Sequence, residues 1–386
     1  MKITIVTGPF QPLPPAGCGA VERIWMAVAH QFCSMGHKVT FLSRGHATGI
    51  GNETVDGIDI IRRTRFKSKG HIGWDLVQDM VYTLRMLPLL PVADILVTNT
   101  FWFPILAPHM KPDAGKVVVN VARVPKGQMR FYRHVDCLAA VSKAIYNMIV
   151  DECPDVADIT RVIPNPILTE TFIPPDTPRN YSGQKIILYT GRIHPEKGLH
   201  LLIDAFRLLP DKEKTLKLRM VGPWRTEQGG GGQVYISLLR EKAKGLSVEF
   251  VDPIHDPKIL AKVLQAAHIY CYPSLAEKGE SFGVAPLEAM GTGLSPVLSN
   301  LSVFLDFFEH NRTGYTFDHR KNDAVFHLAG ALAKILDDPE KTAQMGECAA
   351  QRAKEFSTEN VARMYLNNFE EILNRDSRQE KAAKQL

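Results

Sequence analysis

Apolar and polar positions along the chain alternate between two periods. Short runs of four to six apolar residues are separated by longer stretches with apolar residues at i, i+3, i+4 and i+7. The short runs predict strands at 3–6, Val39–Ser43, Ile95–Asn99, Val117–Val121, Cys137–Val141 and Thr160–Ile163. The first long stretch holds Val21, Ile24, Trp25, Val28 and Phe32, one face of a helix that Gly36 ends. Strand building starts again at Lys185–Thr190. It continues at Lys217–Gly222, Val248–Asp252, Ile269–Ser274, Ser295–Asn300 and Gly314–Phe317, with helical patterns such as Leu199, Leu202, Ile203 and Phe206 between. Alternating strand and helix predicts parallel sheets covered on both faces. An amphipathic pattern closes the chain, with Val361, Met364, Tyr365, Phe369 and Ile372 on one face and a charged tail from Asp376.

Between the two halves lies the densest proline segment, Pro164-Asn-Pro166 and Pro174-Pro-Asp-Thr-Pro178, which reads as a stiff linker. The expected division is therefore 1–165, a linker at 166–183, a second domain at 184–356, and a terminal helix at 357–386. A length of 386 residues agrees with two cores. Four glycines in a row, Gly229 to Gly232, predict a mobile surface loop. No repeat of short period is present.

Composition narrows the function classes. Hydrophobic content of 45% and charged content of 23% are ordinary for a globular protein. The net charge of +5 is mild, and no nucleic-acid-binding motif is present, so nucleic acid is not an expected partner. None of the six cysteines stands in a Cys-x-x-Cys pair; they read as small core hydrophobes of a reducing compartment, not metal ligands. Met1-Lys-Ile-Thr-Ile-Val reads as a first strand, not a signal peptide, and no apolar run reaches the roughly 18 residues of a membrane span. The basic cluster 62–69 precedes Ile72, Leu76, Met80, Leu84, Leu87 and Leu90 at helical spacing. It is either a solvated loop beside a buried helix face or a surface for peripheral membrane contact.

Three stretches carry candidate chemistry. In Glu280-Ser-Phe-Gly-Val-Ala-Pro-Leu-Glu288, two carboxylates bracket an expected helix start, with Pro286 at the first helical position and Glu288 in the first turn. The N–H groups of Phe282, Gly283 and Val284 would then face a ligand as an anion site. In Tyr189-Thr-Gly-Arg192-Ile-His-Pro-Glu-Lys197-Gly198, two cations stand just past a strand, near a helix N-terminus whose dipole opposes them. An anion between Arg192 and Lys197 would resolve that conflict. The third stretch, Gly17-Cys-Gly19-Ala-Val-Glu22, lacks the last glycine of a dinucleotide fingerprint and follows too long a loop for one.

The first two stretches, in that spacing, closely resemble the Glu-seven-residues-Glu and Gly-Arg…Lys-Gly motifs of retaining glycosyltransferases of family 4. Met220-Val-Gly-Pro-Trp224 between them is similar to a turn typical of that family. The resemblance covers most of residues 185–317. It implies an α/β fold of GT-B architecture: two Rossmann-like doubly wound domains facing a cleft, with the last helix crossing back to the first. It implies a retaining, hexosyl-type transfer from a nucleotide diphosphate sugar to a hydroxyl of a glycan, lipid or small molecule, in bacterial polysaccharide or envelope synthesis. The implied location is cytoplasmic, at most peripheral to the inner membrane face. Arg192 and Lys197 would hold the donor diphosphate, so no cofactor or metal is implied. Glu280 would accept hydrogen bonds from the donor sugar and Glu288 from the ribose. Gly17, Gly19, Gly191, Ser281, Phe282, Gly283 and Val284 would line the donor, and Ile254 the base pocket.

One departure bears on the acceptor. Where family members often carry a histidine after the fourth strand, this chain has Ala122, so Asn120, Arg123 or Lys126 would read an anionic acceptor instead. The rival readings are a GT-B sugar epimerase and a catalytically silent nucleotide-binding scaffold.

Overall fold

The structure, a computed structural model, describes residues 1–14, 19–45, 49–64, 66–68, 70–210 and 215–384, with side chains to residue 375. It divides into two compact units, Met1–Pro166 with Thr358–Leu386, and Ile167–Ser357.

The first unit carries eight strands: β1 (Lys2–Val6), β2 (Lys38–Arg44), β3 (Gly51–Val55), β4 (Ile58–Arg63), β5 (Ile95–Thr98), β6 (Lys116–Val121), β7 (Cys137–Ala140) and β8 (Thr160–Val162). Their order is β3-β4-β2-β1-β5-β6-β7-β8, parallel except for the β3–β4 pair. Burial on both faces explains why β1, β5 and β7 read as nearly unbroken apolar runs. The helix Ala20–Ser34 lies against this sheet through Trp25, Val28 and Phe32. The terminal helix Thr358–Lys384 joins the same core: the Tyr365 ring lies tilted against Trp25 at 5.0 Å, and Phe369 meets Phe32 at 5.9 Å.

The second unit is a six-stranded parallel sheet: β9 (Lys185–Thr190), β10 (Leu216–Val221), β11 (Val248–Val251), β12 (Ile269–Tyr272), β13 (Pro296–Ser299) and β14 (Tyr315–Phe317). Their order is β11-β10-β9-β12-β13-β14. The chain starts in the middle at β9, runs outward to β11, and returns to build the other side from β12. Neighbouring crossovers therefore leave in opposite directions between β9 and β12, the place where sheets of this type hold ligands at their carboxyl ends.

Several expectations differ from the structure. The basic cluster is not a free loop at its start, because Arg62 and Arg63 belong to β4, which pairs antiparallel with β3 through a turn at Asp56-Gly57. Both turn residues have positive φ (49° and 79°), the geometry that Asp-Gly favours in a two-residue hairpin. Arg62 is buried and committed: it donates to the Leu13 carbonyl and to Glu53 Oε1 at 2.6 Å each. Arg65 and Lys69 lie outside the described residues. The helix that follows, Ile72–Met86, buries Asp79, Tyr82, Thr83 and Met86 and leaves Ile72, Trp74, Val77 and Leu84 exposed. Of the expected apolar face, Leu87 and Leu90 are buried, Leu76 and Met80 half-buried, and Ile72 and Leu84 exposed.

The proline segment is not a detached linker either. Ile167 and Phe172 are buried in the second unit. Arg179 donates to the carbonyls of Ala267, Thr292 and Gly293 at 2.7–2.9 Å. The glycine run is also held down: Gly230, Gly231 and Gly232 donate to the carbonyls of Arg225, Ile193 and Trp224. A side chain at Gly230 would lie 2.2 Å from the Trp224 backbone, so its glycine serves close packing, not free motion. Finally, the helix after Gly283 begins at Val284, two residues earlier than Pro286 suggested. Pro286 still fits, since a third-position proline withholds an N–H that would have no helical partner.

Candidate active site

The loops that leave β9 and β12 converge at the carboxyl edge of the second sheet. After β9 the backbone turns through Gly191 and Gly198 before the helix Leu199–Leu208. Gly198 adopts φ +66°, and a Cβ there would sit 2.1 Å from the Pro273 carbonyl on the β12 loop. Gly222, at the end of β10, is packed as closely: its Cβ would lie 1.8 Å from the Gly191 carbonyl. These glycines let the loops touch backbone to backbone. A hydrogen bond from Leu275 N to the Glu196 carbonyl (2.7 Å) fastens them.

That contact brings Lys197 and Glu280 together. Lys197 Nζ lies 2.7 Å from Glu280 Oε2, and both residues are buried, at 5% and 8% exposure. Ser274 Oγ donates to the same oxygen at 3.0 Å, and Tyr272 OH reaches both carboxylate oxygens at 3.3 and 3.4 Å. Burial raises the Tyr272 phenol well above its ordinary pKa, and the Glu280 charge raises it further. Tyr272 therefore remains a donor to Glu280. A carboxylate held by an ammonium, a hydroxyl and a phenol is rigidly aimed. Lys197 retains further N–H bonds beyond the one given to Glu280.

Arg192 stands on the same β9 loop. Its guanidinium donates to the Gly229 carbonyl at 2.9 Å and to Glu196 Oε1 at 2.5 Å. Tyr189 OH, kept protonated by burial, donates to the Arg192 carbonyl at 2.7 Å. The charge conflict read from the sequence is thus met within the protein. Each cation already faces a carboxylate, Arg192 with Glu196 and Lys197 with Glu280.

The structure sorts the remaining candidates. Gly283 caps the helix Val284–Gly291 at φ +105°, where a Cβ would lie 2.8 Å from the Phe304 ring. Phe282 is buried between Phe307 and Phe356, so its side chain anchors the loop and does not face a ligand. Ser281, Val284 and Glu288 are half-buried, Glu288 being the fifth helical residue and past the first turn. Leu287 N already bonds the Gly283 carbonyl. Pro286 has no N–H, so by position the helix-start N–H groups without a helical partner are those of Gly283, Val284 and Ala285. Ile254 is half-buried on the loop after β11.

In the first unit Gly17 lies outside the described residues, while Gly19 is buried as the cap of the helix Ala20–Ser34. Asn120, at the end of β6, donates through Nδ2 to Asn99 Oδ1 at 2.7 Å. Trp25 Nε1 donates to the same oxygen at 2.9 Å, and Asn99 Nδ2 donates to the Val6 carbonyl. This chain of donors fixes both amides. Arg123 and Lys126 are exposed beyond it. Arg123 lies close enough to the buried Glu22 to oppose the rise in that carboxyl's pKa caused by burial.

Sequence reasoning missed Tyr272, Ser274 and Glu196. Tyr272 and Ser274 were visible as polar groups in an otherwise apolar run ending β12, and Glu196 as an acid between two cations.

Residues 175–352, within the second unit save its first few and last residues, match the family model "Glycosyl transferases group 1". The chain is 32% identical over 180 residues to the D-inositol 3-phosphate glycosyltransferase of Corynebacterium glutamicum, covering 45% of this chain and 40% of that protein. It thus spans about two fifths of the length of the curated relatives it matches. Among solved structures, sucrose-phosphate synthase from Thermosynechococcus elongatus superposes with a TM-score of 0.77 at 19% identity, covering 99% of this chain and 100% of that one. Anabaena HepE in complex with UDP-glucose superposes with a TM-score of 0.72 at 16% identity, covering 96% and 100%. The fold is that of the GT-B glycosyltransferases.

Proposed function

We propose that this chain is a group 1 glycosyltransferase that moves a hexose-type residue from a nucleotide diphosphate sugar to a hydroxyl, with retention of anomeric configuration. One observation carries the reading. Arg192, Lys197 and Glu280 stand on the loops that flank the switch point of the second sheet, inside the matched residues. The C. glutamicum relative is named for glycosyl transfer to an inositol phosphate, and HepE was solved with UDP-glucose. UDP-sugars and phosphorylated polyol acceptors are therefore the first to try.

In this reading the bond between the anomeric carbon and the donor phosphate breaks, and the acceptor oxygen bonds that carbon on the same face. The acceptor proton passes to the departing phosphate oxygen. Arg192 offers a fork and Lys197 a point charge for the growing negative charge of the leaving diphosphate, a role a divalent ion plays elsewhere. Glu280 accepts from sugar hydroxyls and Glu288 from the ribose. Asn120, Arg123 and Lys126 serve an anionic acceptor. The exposed face of the helix Ile72–Met86 offers a peripheral membrane contact, in keeping with a cytoplasmic enzyme of envelope or polysaccharide synthesis.

Release of UDP from UDP-glucose, with and without a pool of inositol phosphate and glycan acceptors, tests this reading. Acceptor-dependent release that survives a chelator and is lost in Glu280→Gln supports it. Release that stays absent with every nucleotide sugar and acceptor would leave the silent scaffold as the better account.

A further inference from the structure

The free enzyme already carries an anion where the donor diphosphate is proposed to go. Glu196 Oε1 lies 2.5 Å from Arg192 Nη2 and 3.9 Å from Lys197 Nζ, and its Oε2 lies 3.6 Å from His194 Nδ1. The Glu196 backbone cannot move away, because its carbonyl accepts from Leu275 N and its N–H faces His194 Nδ1. Its side chain can: it is 30% exposed, and Arg192 is 43% exposed. A fixed backbone with a free carboxylate is the geometry of a swinging counter-ion. The neighbouring pair of Lys197 and Glu280 is by contrast buried, at 6% and 11% side-chain exposure.

We propose that Glu196 is a built-in competitor for the phosphates of the donor and of the nucleoside diphosphate product. With the site empty, its carboxylate keeps the Arg192 fork occupied and aimed beside Lys197. A diphosphate must displace it from Arg192, and it returns as the product leaves. The consequence is weaker binding of the nucleoside diphosphate and faster product release, a step that limits many enzymes. This inference rests on the reading of Arg192 and Lys197 as the diphosphate site.

Calorimetric titration of UDP into wild type, Glu196→Gln and Glu347→Gln tests it. Glu347 is exposed on the helix Pro339–Lys354, so its variant carries the same change in net charge away from the site. Glu196→Gln keeps the shape and a hydrogen-bond acceptor but removes the charge. We expect it to bind UDP about tenfold more tightly, the scale of one partly screened charge near a protein surface. Glu347→Gln should match wild type. The gain should shrink from low to high salt, as an interaction of exposed charges must. Equal or weaker UDP binding by Glu196→Gln, with wild type binding normally, would overturn the competitor role and leave Glu196 a fixed partner of Arg192. Wild type that binds neither UDP nor GDP nor ADP would overturn the diphosphate site and this inference together.

Discussion

Replacing Lys197 by methionine separates the structural role of this side chain from its proposed role on phosphate. Methionine keeps the length and apolar stem of lysine but removes the ammonium. Glu280 would then remain a buried carboxylate facing Ser274 and Tyr272 without a cation. Removing one partner of a buried pair costs about 3–5 kcal/mol. The two remaining hydroxyl donors place the expected cost at the lower end, about 3 kcal/mol. Glu280→Gln leaves a buried ammonium and should cost about 2 kcal/mol or more for the same reason. The double variant buries no unpaired charge, so it should cost no more than about 1–2 kcal/mol, giving a coupling of about 3 kcal/mol. Hydrogen exchange at the amides of β12 reads the opening free energy of the second unit itself, independent of when the first unit unfolds. A Lys197→Met cost below about 1 kcal/mol, or additive single costs, would refute the buried pair. Loss of turnover in Lys197→Ala would also need correction for this destabilisation before it is read as lost catalysis.

Three further outcomes follow from particular groups. Burial raises the Asp79 carboxyl from 3.8 to about 6, opposed by the N–H groups of Phe101 and Trp102. The raised pKa makes its contribution to stability greatest below pH 4, falling as pH rises to about 6 and constant at the lower level above. Asp79→Asn keeps an acceptor for both N–H groups without ionising, so its advantage over wild type in urea should grow by about 1–2 kcal/mol from pH 5 to pH 8. A pH-independent difference would show that Asp79 does not carry this strain. Gly198→Ala combines φ +66° with a Cβ 2.1 Å from the Pro273 carbonyl, so the β9 and β12 loops must part. It should lower the melting temperature by several degrees, and a melting curve equal to wild type would contradict the close approach. Trp74→Glu should reduce co-sedimentation with anionic vesicles if the exposed face of the helix Ile72–Met86 meets membrane; unchanged or absent co-sedimentation would remove that contact.

How far the sequence could be read depended on whether a feature was local or made by packing. The strands of both sheets were legible because parallel strands buried on two faces leave unbroken apolar runs, as in Ile186–Leu188 and Ile269–Tyr272. The β3–β4 hairpin was missed although Asp56-Gly57 announces it, because β3 is polar and largely exposed. Positions of Arg192, Lys197, Glu280 and Glu288 were legible through motif spacing. Their partners were not. That Lys197 closes on Glu280 depends on Gly198 lying against Pro273, a contact between residues distant in sequence. Likewise, the glycine run reads as flexible in isolation, and its folded role comes from Arg192 and the backbone around Trp224. The helix Ile72–Met86 buries Asp79 beside Tyr82 and Met86 and exposes Trp74, which periodicity alone cannot show.

Hydrogen exchange with and without saturating UDP-glucose tests the central claim most directly, since it needs no known acceptor. The account predicts slowed exchange in residues 191–198 and 274–288 of wild type, with the slowing lost in Arg192→Ala. Slowing confined to other segments, or identical patterns in wild type and Arg192→Ala, would contradict a diphosphate-sugar site on the β9 and β12 loops.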